Sequence, residues 1–138
     1  MSVSIEDYMK TLYSLYEDSS SPENKIKSGD IALRLNISKA SVSQMLSKLT
    51  RQGLVKREPY SKILLTKKGL LEAKKITHNH RVIEVFLNKV LDYRIADVHE
   101  EAHRLEHSFS SESIRRLNMY LKKPKKSPSG KPIPFNNK

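Results

Sequence analysis

The stretch SGDIALRLNISKASVSQMLSKLTR, Ser28 to Arg51, decides the fold. Ser28-Gly-Asp30 opens a short helix that runs through Ile31, Ala32, Leu33 and Leu35. Asn36-Ile37-Ser38 then makes a tight turn, with Ser38 placed as the N-cap of a second helix. In that helix Val42, Met45, Leu46 and Leu49 recur at i, i+3, i+4 and i+7, within roughly 100° of arc at 3.6 residues per turn. Ala40, Ser43, Gln44, Ser47 and Arg51 point the other way. An ordinary solvated face carries paired Glu and Lys, whereas residues 39–52 contain no acidic residue. Small residues, hydroxyls, one amide and flanking cations suit a major groove, where Gln reads adenine and Ala touches a thymine methyl. The pattern predicts a helix-turn-helix that contacts double-stranded DNA through Ser38, Lys39, Ala40, Ser41, Ser43, Gln44, Ser47, Lys48 and Arg51.

The sequence downstream extends this motif. Gly53 breaks the helix, and two β-prone runs flank Glu58-Pro-Tyr-Ser61, which predicts a hairpin although the turn lacks Asn-Gly. Lys56, Arg57 and Lys62 lie on it. A basic hairpin directly after a recognition helix is the wing of a winged helix, placed to touch phosphates or the minor groove. Upstream, Ile5, Tyr8, Met9, Leu12, Leu15 and Tyr16 give a first helix. Ser4 and Asp7 have the spacing of its capping box, which accounts for Asp7 without a ligand role. Charge follows the same division. Residues 25–68 hold eleven Lys/Arg against two acidic residues, residues 1–24 come to −4, and residues 78–113 come to −3, within a total of +11. A basic block between acidic flanks fits a polyanion-binding module joined to a second function.

Composition narrows the classes further. A length of 138 residues allows one domain or two small ones, and 37% hydrophobic content suffices for a helical protein that buries more surface by dimerising. The absence of cysteine excludes disulfides. No window has the roughly eighteen apolar residues of a membrane span, and the N-terminus lacks a signal-peptide pattern. The chain reads as cytoplasmic, with no membrane partner.

In the second half a helix, or two in succession, runs from about Lys67 to Val90, with Thr66 as its cap, and carries His80 and Glu84 on one face. Residues 91–94 form a short link. Ile95, Val98, Ala102, Leu105 and Phe109 then step by 3 and 4, which predicts a further helix. Beside that stripe stand His99, His103, Glu106 and His107, with three of the five histidines inside nine residues. Imidazoles and a carboxylate converging at a core boundary suit a borderline divalent metal. Two other readings compete. His103-Arg-Leu-Glu106-His107 matches the H-x-x-E-H pattern of a small zinc peptidase, but such an enzyme needs a third ligand and a cleft, and 31 residues follow. A winged-helix regulator answering to a non-metal ligand would leave the histidines incidental. Ser110 or Ser111 caps a last helix, Glu112 to Leu121. Lys122 to Lys138, with four Pro and six Lys, reads as an extended or disordered basic tail. The expected architecture is mainly α with a small β-hairpin: a winged helix-turn-helix at 1–70, a helical metal-binding and dimerisation domain at 71–122, and a basic, flexible tail at 123–138.

These features in this order resemble the diphtheria toxin repressor and manganese transport regulator family of metal-dependent repressors. The resemblance runs through Glu6-Asp7-Tyr8 with Leu12-Tyr13, Ser41-Val-Ser-Gln44, and Leu64 to Thr66 leading into Lys67-Lys-Gly69. It continues through His80-Arg81 with Glu84, Val98 to His107, and Ser127-Pro-Ser-Gly-Lys-Pro-Ile-Pro134. It implies a non-enzymatic, homodimeric repressor that binds a palindromic operator, takes no small-molecule substrate, and has the short form without an SH3-like third domain. The family's primary metal ligands fall on Asp7, His103, Glu106 and His107, and its ancillary ligands on His80, Glu84 and His99. Two sites per subunit follow, for Mn²⁺ or Fe²⁺, with Zn²⁺ also compatible. Two positions depart from the pattern. His103 stands where iron-type members carry Cys and manganese-type members Glu. Lys10 stands where manganese-type members place a second-site carboxylate, and its ammonium would repel a second ion there.

Overall fold

Capping signals set most of the element boundaries in the computed structural model, which describes residues 4–21 and 23–136. Helix α1 (Ile5–Asp18) begins with the expected capping box: the Asp7 N–H donates to Ser4 Oγ at 3.2 Å, and the Ser4 N–H donates to Asp7 Oδ2 at 3.0 Å. Strand β1 (Ile26–Lys27) leads into α2 (Ser28–Leu35), which ends on Asn36 in the left-handed conformation at φ 53°. Asparagine tolerates that region better than most residues. Ser38 caps α3 (Lys39–Arg51) by accepting from the Ser41 N–H at 3.0 Å. Strands β2 (Val55–Glu58) and β3 (Lys62–Leu65) form the hairpin, with Arg57 opposite Ile63 and Glu58 opposite Lys62. Its turn places Tyr60 and Ser61 at φ 63° and 58°, so the reversal is made without glycine.

The sheet has three antiparallel strands in the order β1-β3-β2, so β1 adds a strand to the expected hairpin. Two residues are too few to show a period of two, and that strand has no sequence signature. Helix α1 packs on α2, α2 on α3, and α3 on β2. Ile31, Val42, Leu46, Leu49 and Ile63 are fully buried, and of the inward set that the periodicity predicts for α3, Met45 is half-buried.

Helix α4 (Lys67–Lys89) is one continuous element, capped by Thr66, whose Oγ1 accepts from the Gly69 N–H at 3.0 Å and donates to the Gly53 carbonyl at 2.6 Å. Gly69 lies against the chain after the recognition helix. A Cβ at that position would stand 1.8 Å from the Leu54 carbonyl oxygen. Helices α5 (Ile95–Glu106) and α6 (Ser111–Tyr120) follow, with Ser110 capping α6.

The chain divides into two compact units, 1–74 and 75–138. The division falls inside α4, four residues beyond the expected 70/71 boundary, because the first turns of α4 are pinned to Gly53 and Leu54. The second unit has a core of Ile83, Leu87, Val98, Ala102 and Ile114, and a smaller cluster of Val82, Val85 and Ile133.

Ile133 corrects the reading of the end of the chain. Residues 123–136 are a folded strap within the second unit, where a flexible tail was expected. Lys126 and Pro132 form an antiparallel bridge, and the turn between them uses Gly130 at φ 90°. Arg81 donates to the Pro132 carbonyl and His78 Nδ1 to the Pro134 carbonyl, each at 2.7 Å. The amides of Asn118 and Asn136 bond to each other in both directions, at 3.1 and 2.7 Å. Proline carbonyls accept as well as any others, so a segment that cannot donate everywhere is still held by donors from the helices. Ile133→Ala empties a fully buried position and should cost about 2–5 kcal/mol. Thermal unfolding measures this, and a change below about 0.5 kcal/mol, the size of an ordinary surface substitution, would mean the strap is not part of the core.

Candidate metal centre and nucleic-acid interface

On the first unit, Lys39, Ala40, Ser41, Ser43, Gln44, Lys48 and Arg51 are exposed along α3, with Ser47 half-buried. The acid-free face predicted from sequence is therefore a solvent face. Ser38 and Ser41 are linked to each other through their hydroxyls at 3.0 Å, which commits Ser38 to the cap. The wing meets the helix through Arg57, whose two terminal nitrogens donate to Ser47 Oγ and Ser43 Oγ, both at 3.2 Å. Lys56 is exposed and Lys62 half-buried on the same hairpin. Cations, hydroxyls and one amide are thus presented together, with Glu58 the one carboxylate in residues 39–68. Side chains of these types are the ones that can contact phosphates and base edges.

On the second unit, α4 and α5 bring the predicted histidines and carboxylates together. Glu84 and Glu106 project buried carboxylates, with side chains 9% and 4% exposed. Around Glu84, His80 Nε2 lies at 3.5 Å and His99 Nδ1 at 3.6 Å, and the two ring nitrogens are 3.1 Å from each other. Their ligand atoms, one from each of the three residues, fall within 4.8 Å of one another. Around Glu106, His103 Nδ1 lies 3.2 Å and His107 Nε2 3.8 Å from the same oxygen, Oε1. The other oxygen, Oε2, accepts from His80 Nδ1 at 2.7 Å. Burial pushes the Glu84 carboxyl up, but the attraction of the adjacent His80 and His99 rings outweighs it and holds the group at about 2.

This chemistry fits a divalent ion. Two carboxylates nearly removed from water, each faced by imidazoles, offer oxygen and nitrogen donors and no thiolate. Charged oxygens are buried at a high cost unless positive charge or hydrogen bonds answer them. Such a donor set suits Mn²⁺, Fe²⁺ or Zn²⁺, and raw affinity alone does not choose among them.

The predicted residues therefore sort into two groups within one unit, His80, Glu84 and His99 in one and His103, Glu106 and His107 in the other. Asp7 belongs to the first unit, where its Oδ2 serves the capping box and also accepts from Ser4 Oγ at 2.9 Å. The contact between His80 and Glu106 was missed. The two residues are 26 positions apart, and helix periodicity relates only residues on one element, so no local pattern reports it.

Comparison with known proteins agrees with both halves. Residues 1–63 match the iron dependent repressor N-terminal DNA binding domain, and residues 66–135 match the iron dependent repressor metal binding and dimerisation domain. An uncharacterized HTH-type transcriptional regulator of Methanocaldococcus jannaschii is 42% identical over 123 residues, covering 89% of this chain and 96% of that one. The diphtheria toxin repressor of Corynebacterium diphtheriae is 36% identical over 129 residues, covering 94% of this chain but 55% of that protein. The solved structure of the manganese regulator SloR is similar with a TM-score of 0.80 and 37% identity, over 100% of this chain and 62% of that one. The chain thus spans about half the length of its diphtheria-type relative and nearly all of the archaeal one. A DNA-binding half and a metal-binding, dimerising half, matched in succession along one chain, place this protein in the iron-dependent repressor family.

Proposed function

We propose that the protein is a homodimeric repressor whose grip on a palindromic operator is controlled by a divalent metal. The observation that carries this is the convergence of His103 and His107 on one oxygen of the buried Glu106, in a chain that also presents an acid-free recognition helix. Mn²⁺ or Fe²⁺ is the favoured ion, with Zn²⁺ compatible, and the cytoplasm is the favoured location. Among the described residues no helix is long and apolar enough to cross a membrane. His103, Glu106 and His107 hold one ion, with Asp7 proposed as a further ligand on the family resemblance alone. The carboxylate of Asp7 can cap through one oxygen and ligate through the other. His80, Glu84 and His99 hold a second ion. A bound cation supplies charge and a fixed geometry that favour one conformation of the protein, and it shifts the population by no more than its differential affinity. The residues of α3 and the wing supply the contacts to DNA, and a two-fold dimer presents two recognition helices to two half-sites.

Membership of a family of DNA-binding regulators sets the peptidase reading aside. The geometry gives the physical reason: the glutamate of H-x-x-E-H is engaged by three imidazoles, whereas a general base must face an incoming water.

The test is a gel-shift measurement on chelator-treated protein with an operator selected from random duplexes. Adding Mn²⁺ or Fe²⁺ should tighten binding at least tenfold, about 1.4 kcal/mol. Operator affinity indifferent to every divalent ion would defeat the metal switch and return the non-metal regulator as the better reading.

A further inference from the structure

The two ligand groups are not independent, because one ring touches both. His80 is buried, with Nδ1 2.7 Å from Glu106 Oε2 and Nε2 3.1 Å from His99 Nδ1 and 3.5 Å from Glu84 Oε2. A carboxylate only accepts, so the short bond to Glu106 requires the proton on Nδ1. The other ring nitrogen, Nε2, faces His99 Nδ1 and Glu84 Oε2, and in the neutral ring its lone pair is open to a metal ion. The same bond fixes Glu106: with Oε2 held by His80, Oε1 is left facing His103 and His107.

We propose that His80 is a positioning residue that joins the two clusters. Through Nδ1 it orients the glutamate of one, and through Nε2 it serves as a ligand of the other. Metal-ligating histidines commonly donate their second N–H to a carboxylate, which sets tautomer and ring angle. Here that carboxylate is itself a ligand of the neighbouring group, so one hydrogen bond supports two sites. The inference rests on the metal reading above for what the sites hold, and on the geometry alone for the bond.

Two substitutions separate the roles of the ring. Asparagine places its amide nitrogen near the position of Nδ1 and keeps a donor toward Glu106, while losing Nε2. Glutamine reaches toward the Nε2 position and loses the Nδ1 donor. The measurement is calorimetric titration with Mn²⁺ in the His99→Ala protein, which retains the His103, Glu106 and His107 group as its one intact cluster. Adding His80→Asn should leave the remaining affinity within about twofold. Adding His80→Gln should weaken it about tenfold, the lower edge of the loss when an outer partner of a ligand is removed. Equal affinities in the two double variants would overturn the proposal.

Nitrogen NMR of the histidine rings in the unaltered, metal-free protein supplies a second readout that needs no variant. A proton on His80 Nδ1 is expected, and a proton on Nε2 alone would overturn the proposal. Failure of the unaltered chain to take up Mn²⁺ would defeat the metal reading, whereas the nitrogen spectrum would still decide the His80–Glu106 bond.

Discussion

Gly69→Ala should destabilise the winged-helix unit by about 3 kcal/mol, the upper end of what overpacking ordinarily costs. The first turn of α4 crosses the chain at Leu54 so closely that a methyl group has no room, with the carbonyl oxygen 1.8 Å and the carbonyl carbon 2.8 Å from where the Cβ would stand. Both partners are backbone, so no side chain can swing aside, and relief requires moving α4 or the segment that leads into the wing. That movement also strains the Thr66 bonds to Gly53 and Gly69. Gly29 is the control. It lies in the first turn of α2, and a Cβ there meets nothing within 4 Å. Gly29→Ala should stabilise by about 0.5 kcal/mol by narrowing the unfolded ensemble. Urea unfolding followed by circular dichroism reads both, and a Gly69→Ala midpoint equal to that of the unaltered chain would refute the close approach.

The second large effect concerns the metal. Glu106→Gln should weaken Mn²⁺ binding at the His103 and His107 group by a hundredfold or more, about 2.7 kcal/mol. It should also bring operator affinity in Mn²⁺ down to the metal-free level. Glutamine keeps the shape of glutamate and an oxygen that still accepts from His80, so folding is preserved while the anionic donor is lost. His107→Ala should act in the same direction. His99→Ala should reduce activation less, because it removes a ligand from the other group only. Calorimetry gives the affinities and gel shift the consequence for DNA. Equal loss of activation from His99→Ala and His107→Ala would show that the division into two groups is wrong.

How much of this was legible in the sequence depended on distance along the chain. The helix-turn-helix could be read because Val42, Leu46 and Leu49 repeat within one element, and because the missing acidic residues of 39–52 are a local fact. The caps Ser4, Ser38, Thr66 and Ser110 could be read for the same reason, each acting on an N–H three residues away. The ligand residues were recognisable from type and spacing on α4 and α5. Their pairing was not, since the bond between His80 and Glu106 depends on how two helices meet. Strand β1 was too short to show a pattern. The segment after Lys122 was misread because proline and lysine dominate both solvated tails and ordered straps. What distinguishes the strap is a single isoleucine, two proline carbonyls and one asparagine amide, each paired with a residue of α4 or α6 far back in the chain.

The strap also bears on how the protein can be shortened. A boundary drawn at Lys122 on composition would remove Ile133 and leave Val82 and Val85 without the residue that covers them. It would also remove the Asn136 amide that pairs with the buried Asn118 and the Pro132 carbonyl that accepts from Arg81. The product would be an opened core with an adhesive apolar face, prone to aggregate for reasons unrelated to metal or DNA. Any minimal version of the second unit has to run through Asn136, and a fused tag belongs beyond that residue.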